Sequence, residues 1–551
     1  MTKFIGSDPN IFAEKMLDSG FFPENLPPVF KIENLHEAAI GALSTNHYLT
    51  DKPTEGARYN ASKRNGQRRI FTMPNPVFMV DCSIFFSEYS SQIDEHLSLS
   101  ADGPSNPLFN DGAGRPIKIN SHPEFHRRRR KDLALSRYVV KTDISRFFHS
   151  IYTHSISWAL HGKTDAKKDR RDSSETVFGN RLDKIVRQSQ DGQTIGIPVG
   201  PDFSRLISEI IGVSIDHRFR IDNGGNIPLL RLVDDIYIGA DNLDDANSYL
   251  SSIRDSIRQF ELDINESKTT ILESSDDLEP FWPVEIRREI QTFSADDITN
   301  NRQSRADFVH FMDEILRAAK IRNDEGIVKF ALRKIDDFNI WNIYWDLLEP
   351  FLIRSAISFP HCWDYVARVV AWRQRKHGVD SDLWRQVAEK SIARSARSGN
   401  DSEVIWALWM LKELGQAISL SLVESIIKRC GPFVVLLCLD VHQSSASTYN
   451  FPKDILLDRI GERPMLGSNW ILSYEADRQF GFRLKSKNLQ GSDFFQSMYD
   501  NNTSFYDRSA DPVVFENDVT GTSAKNAIEK GIGDYDDYFD DEPDGKEDDE
   551  F

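Results

Sequence analysis

"LLRLVDDIYIGA", residues 229–240, sets two adjacent carboxylates, Asp234 and Asp235, inside an apolar run. Leu229, Leu230, Leu232, Val233, Ile236, Tyr237 and Ile238 give it the composition of a buried β-strand. Neighbouring side chains of a strand point to opposite faces, so one carboxylate is expected inward wherever the other points out. Burying an ionised carboxylate is costly unless something compensates it. The run asks for a counter-ion.

A second acidic strand lies upstream. "YVVKTDISRFFHSIY" (138–152) is a β-rich run that reaches Asp143 and passes into a helix start carrying Phe147 and Phe148. Two such strands can lie side by side and bring their carboxylates to one point. Hard divalent cations such as Mg2+ take oxygen ligands, and two of them about 3.5–4 Å apart clamp both oxygens of an in-line phosphoryl displacement. Between the strands, "GIPVGPDFSRLISEI" (196–210) reads as a tight Gly/Pro loop followed by a helix, with Ser204 near its start. Glycine there lets a backbone approach a substrate closely.

The chain has 551 residues, which implies more than one domain. It is 40% hydrophobic and contains 35 Phe and 10 Trp, ample for large cores. No run of about 18 uncharged apolar residues suggests a membrane span. "MTKFIGSDPNIFAEK" has no apolar centre like that of a secretory signal. The four cysteines have no metal-ligand spacing, and Cys430 and Cys438 read as core thiols. A reducing cytoplasm is the expected setting. The net charge of −18 is uneven: residues 534–551 hold eleven acidic residues and one lysine, hence −10, leaving −8 for the rest. Basic charge instead collects between Arg115 and Arg137, with "HRRRR" at 126–130.

Residues 1–135 are mixed and turn-rich, and strand and helix patterns alternate from 136 to about 280. From 281 to 504 the texture is successive aromatic-faced helices such as "CWDYVARVVAWRQ" and "DSEVIWALWMLKEL". Their pairing at roughly 35–45 residues suits a HEAT-like array, although no repeated consensus accompanies it. Residues 505–551 read as an acidic, disordered tail. Within it "DYDDYFDD" lacks the apolar flanks of a strand and reads as solvated.

Taken in order, Asp143 with Phe148 five residues on, the Gly-Pro-x-Gly loop, the Asp pair and "ELDINESKTTI" resemble motifs A to D of the reverse-transcriptase palm. "KRNGQRRIFTMPNP" (63–76) resembles the fingers motif that contacts the incoming triphosphate. The resemblance covers about residues 58–275. It departs at Leu232, where an aromatic is usual, and at Val199, where glutamine is usual. "GIPVGPxxSR" and the long helical half are similar to bacterial defence-associated reverse transcriptases of the abortive-infection and unknown-group types. The implied fold is an α+β fingers-palm right hand (fingers 1–135, palm 136–280), followed by an all-α, HEAT-like domain (281–504) in place of thumb and connection.

The resemblance also implies roles. Asp143, Asp234, Asp235 and the Ile144 carbonyl would hold two Mg2+ ions, with Mn2+ as an alternative. Phe148 would exclude a 2′-hydroxyl, and Gly200 and Ser204 would line the nucleotide pocket. Lys63, Arg68 and Arg69 are candidates for the triphosphate, where the arginine fork suits phosphate oxygens. The two arginines alternate faces of a strand, so one of them is expected to reach it. Lys268 would stand near the leaving pyrophosphate or hold the palm together. Arg127, Arg128, Arg129 and Arg130 would meet a nucleic-acid backbone. Tyr48 and Tyr59 are candidate priming tyrosines.

The expected partners are dNTPs, a DNA product, an RNA template or non-coding RNA, and further copies of the chain. The leading expectation is a Mg2+-dependent polymerase in antiphage defence, template-independent and protein-primed in some relatives. A conventional retron- or intron-like templated enzyme and an inactive nucleic-acid-binding scaffold are the alternatives.

Overall fold

The computed structural model describes residues 8–50, 52–63, 66–100, 103–112, 114–224, 227–276, 282–290, 302–337 and 344–510. The acidic residues 534–551 lie outside them. Strands β1 (Ala57–Ser62) and β2 (Arg68–Met73) form an antiparallel hairpin in the register Ala57↔Met73 to Ser62↔Arg68. β3 (Leu108–Phe109) and β4 (Ile117–Lys118) make a second, short hairpin. β5 (Tyr138–Asp143), β6 (Leu229–Leu232), β7 (Asp235–Ala240) and β8 (Thr270–Glu273) form one antiparallel sheet ordered β6-β7-β5-β8.

This sheet is covered on both faces, which is why its strands read as near-continuous apolar runs. Val140, Leu229, Ile236 and Ile238 belong to the large core with Phe219 of helix Asp202–Asn223 and Ile253 and Ile257 of helix Leu243–Arg258. Their sequence neighbours Val139, Leu230, Leu232 and Tyr237 form a separate cluster with Phe125 and Leu133, from helix His122–Asp132 and its C-cap. Period-2 alternation thus divides the strands between two cores.

One expectation about the opening stretch fails. Residues 229–240 are not one strand but two, joined by a turn at Val233 and Asp234 that brings Leu232 opposite Asp235. No glycine or asparagine marks this turn. Val233 takes φ 57°, a conformation unfavourable for a β-branched residue. Tertiary contacts hold it there.

In the C-terminal half, helices Trp363–Lys376, Asp401–Glu413, Pro432–Ser444 and Trp470–Phe480 stack in succession. Helices Ser381–Ser395, Leu420–Arg429 and Lys453–Ile460 form a second row alongside them. The first row is buried almost all round because it also packs against β1 and the N-terminal segment: Phe21 stacks on Trp470 at 6.0 Å and Phe22 meets Phe433 edge-on at 6.0 Å. One hydrophobic core contains residues from both halves of the chain. Residues 505–510, expected in the tail, are among the described residues. Phe505 and Tyr506 are buried, and the Ser504 amide donates to the Glu33 carbonyl at 3.0 Å. All four cysteines are buried and free. Among the described residues, no helix is long and apolar enough to cross a membrane.

Candidate active site

Asp143 ends β5 directly opposite Asp235, the first residue of β7. Opposed residues of an antiparallel pair project to the same face, here the face that carries Val139 and Tyr237. Asp234 sits beside them in the turn, fixed by its carbonyl, which accepts the Ile144 amide at 3.1 Å. The pair is thus presented at a hairpin tip and not on opposite sides of one strand.

The turn has its own supports. The Val233 amide donates to Ser105 Oγ at 2.6 Å, and the Val233 carbonyl accepts Arg231 Nη1 at 3.0 Å. Arg231 in turn is buried between Glu209 (2.7 Å) and Asp216 (2.9 Å) of helix Asp202–Asn223. Gly212 on that helix is required by space: a Cβ there would lie 2.5 Å from the Arg231 guanidinium.

Lys268 supplies the positive charge. Its Nζ is 3.0 Å from Asp143 Oδ2, with both side chains almost wholly buried. Burial opposes its charge, yet Asp143, then Asp235 and Asp234, hold its pKa above the ordinary lysine value. The loop that carries it is strapped along the end of β5: the Ser145 amide donates to Asp263 and the Asn265 amide to the Asp143 carbonyl, each at 2.9 Å. A lysine drawn in against burial marks a site that demands cationic charge. The donor set is that of a hard divalent cation, so the residues fit one. Among the described residues, however, no three His, Cys, Asp or Glu side chains are gathered as a ready ligand set. Ile144 has a buried side chain and lies next to Ile264 in a β-bridge.

The Gly/Pro loop joins three parts of the site. The Ile197 amide donates to the Phe148 carbonyl and the Thr72 amide of β2 to the Val199 carbonyl, both at 2.8 Å. Arg115 Nη2 donates to the Gly200 carbonyl at 2.9 Å while its Nε binds Asp202 at 2.8 Å. Gly200 is needed for its φ of 128°. Phe148 is half-buried beside Phe147.

Several expected site residues lie elsewhere. Ser204 is fully buried in the helix after the loop, so it does not line an open pocket. Arg68 is turned away to Glu403 (2.7 Å), which leaves exposed Arg69 on the palm side. Lys63 is buried; it, Arg69 and Arg146 all act on His149, whose pKa falls through burial first and then through these cations. Of the basic run, Arg127 and Arg130 are exposed, and Arg128 faces Asp132 at 3.7 Å. Arg129 is buried, with its guanidinium 4.7 Å over the Tyr237 ring and 2.9 Å from His126 Nδ1. It therefore seats its helix on the sheet and does not face a phosphate backbone. Tyr59 is fully buried, its hydroxyl 3.4 Å from the Asn25 carbonyl. Tyr48 donates to Glu88 at 2.8 Å under the Arg181 guanidinium. The Tyr59 hydroxyl is thus enclosed, whereas that of Tyr48 lies at the surface with Glu88. Leu232 packs in the small core with Phe125 and Tyr237.

Arg231, Arg115 and His149 were not legible as site residues, although a lone arginine in the apolar run 229–233 was a signal that buried acids lay nearby. Arg115 gave no such signal: it sits in a basic stretch that looks like solvated surface.

Residues 77–287 match the family model described as reverse transcriptase (RNA-dependent DNA polymerase). The stretch includes Asp143, Asp234, Asp235 and Lys268, and it makes this part of the chain an RNA-directed DNA polymerase domain of the nucleotidyltransferase class. A search of curated protein sequences gives no match. Among solved structures, apo telomerase from Candida tropicalis truncated from its C-terminal domain is similar at 17% identity, covering 44% of this chain and 56% of that one, with a TM-score of 0.28. Apo telomerase from the same organism is similar at 12% identity over 76% of this chain and 74% of that one, with a TM-score of 0.31. Telomerase from Candida albicans in complex with a TWJ fragment of telomeric RNA is similar at 8% identity over 77% and 68%, with a TM-score of 0.28.

Proposed function

We propose that this protein is a Mg2+-dependent reverse transcriptase that polymerises deoxynucleotides in antiphage defence. The observation that carries the polymerase reading is the juxtaposition of Asp143 and Asp235 across one strand pair, with Asp234 at the adjoining tip and Lys268 drawn into their field. Asp143, Asp234 and Asp235 would hold the metal, which when bound supplies charge neutralisation at the reacting phosphate and activation of the attacking hydroxyl. Lys268 holds a proton at Nζ beside Asp143, within reach of a leaving pyrophosphate. Half-buried Phe148, tied to the Gly/Pro loop, forms the floor that selects a deoxyribose. Arg69 offers its fork to the triphosphate from the fingers side. The defence role is supported by the "GIPVGPxxSR" loop and by the long helical half, which we read as HEAT-like.

The test is incorporation of labelled dNTPs by purified protein with Mg2+, with and without RNA template and primer, and with products examined before and after protease. Incorporation in the wild type that disappears in Asp234→Asn is expected. A requirement for template and primer identifies RNA-directed copying, whereas protease-sensitive product without either identifies protein priming. No incorporation under any of these conditions overturns the reading. Phage plating on cells carrying wild type or Asp234→Asn tests the defence role, which fails if both plate alike.

A further inference from the structure

The β1–β2 hairpin carries exposed Arg69, the residue proposed above for the triphosphate, and a two-stranded hairpin is marginal by itself. Its outer edge also exposes backbone donors that need partners. Here those donors end on one helix turn more than 330 residues away. The Asn60 amide donates to Asp401 Oδ2 and the Ser62 amide to Ser402 Oγ, each at 2.8 Å. The Asn60 side-chain amide donates to the Gly399 carbonyl at 2.8 Å. Arg68 closes the joint as a fork, Nη1 and Nη2 donating to the two Glu403 oxygens at 2.7 and 3.0 Å, while its Nε and Nη2 also hold Asn60. Ser402 Oγ in turn donates to Glu403 at 2.7 Å. Asp401 shares its other oxygen with the Gly431 amide at 2.7 Å, and a Cβ at Gly431 would stand 2.6 Å from the Arg58 carbonyl. The hairpin base is tied to the same half of the chain, the Trp470 indole donating to the Met73 carbonyl at 3.3 Å.

Alternation along β2 gives these contacts a consequence at the site. Arg68 and Arg69 are neighbours on opposite faces, so fixing Arg68 on Glu403 fixes Arg69 toward the palm. Ser62, held by Ser402, immediately precedes Lys63. The other side of β2 is bound to the Gly/Pro loop through Thr72.

We propose that Asp401, Ser402 and Glu403 are positioning residues that clamp the nucleotide-facing hairpin, so that the helical half sets the affinity for the incoming triphosphate. The inference rests on the polymerase reading for the identity of the ligand, but the clamp itself is measurable without turnover.

The experiment compares full-length wild type with Ser402→Ala, Glu403→Gln and Ser402→Thr. Amide hydrogen exchange is read in peptides spanning 57–63 and 68–73, with dNTP binding measured at equilibrium and KM and kcat measured where incorporation occurs. Removing one charge-assisted contact is expected to speed hairpin exchange about tenfold and weaken dNTP binding about tenfold, with kcat much less affected. Ser402→Thr, which keeps the hydroxyl, should restore both. Gly431→Ala should act in the same direction by pushing the helix off β1. Unchanged exchange and unchanged dNTP binding in both Ser402→Ala and Glu403→Gln overturn the clamp. Absence of incorporation in wild type overturns the polymerase reading instead, and leaves exchange and equilibrium binding to decide the clamp.

Discussion

Replacing Arg231 with methionine removes the only cation in the buried set formed with Glu209 and Asp216 while keeping much of its volume. In the native chain the guanidinium makes four contacts of 2.7–3.0 Å to the two carboxylates and one of 3.0 Å to the Val233 carbonyl. All three charged side chains are at most 6% exposed, so solvent does little to screen the loss. Breaking a buried ion pair from one side costs about 3–5 kcal/mol. At about 1 °C per kcal/mol for a chain of this length, the melting temperature should fall by about 3–5 °C. Burial, against the pull of Arg231, pushes Glu209 up to about 7. In the variant it can therefore shed part of the penalty by taking up a proton at pH 6, but less so at pH 8, where the loss should be larger.

The charge-free triple variant R231M/E209M/D216L should recover most of the stability, because a buried ionic set is often replaceable by apolar groups of similar volume. It should still incorporate nucleotide slowly, since the Val233 carbonyl and the strained turn below Asp234 have lost their anchor. Thermal melts at both pH values, with dNTP incorporation at 25 °C, provide the readings. A single variant that melts within about 2 °C of wild type at pH 8, or a triple variant no more stable than the single, would refute the reasoning.

Other substitutions probe separate points. Tyr59→Phe should leave incorporation intact and cost about 1 kcal/mol through loss of the 3.4 Å hydrogen bond to the Asn25 carbonyl; abolished priming in an assay of protein-linked product would contradict its buried placement. Arg129→Ala should lower the melting temperature while leaving the salt dependence of RNA or DNA binding unchanged. Arg127→Ala and Arg130→Ala should do the reverse, each reducing the salt slope by about one. Glu475 is pushed up to about 7 by burial, against its contacts with Phe505, Gln479 and Arg478. Its folded pKa lies above the unfolded one, so its stabilising contribution is complete below about 4.5 and is lost as pH rises through about 7. Glu475→Gln removes this term, so the variant should gain on wild type between pH 5 and pH 8 in melting temperature; a constant or widening deficit would count against it.

Much of the palm was legible because its signals are local. The apolar composition of 138–143 and 229–240 marked them as buried β-structure, and the types and order of Asp143, the Gly/Pro loop, Asp234, Asp235 and Lys268 pointed to the chemistry proposed above. Exposure was not legible. Ser204, Tyr59 and Arg129 have side chains that serve equally well in a core or at a surface, and only the packing of distant segments assigned them to the core. The break of the acidic run into two strands was hidden for a related reason: Val233 has no intrinsic preference for its φ of 57° and is held there by Ser105 and Arg231. The sequence by itself determined which residues can carry phosphoryl-transfer chemistry and that apolar strands bear them, since period and side-chain type are properties of neighbours along the chain. Only the tertiary structure decided how they are presented, at a hairpin tip supported by Arg231, with the β1–β2 hairpin bonded to residues 401–403, because those contacts join groups far apart in sequence and are worth their desolvation only once the core around them has closed.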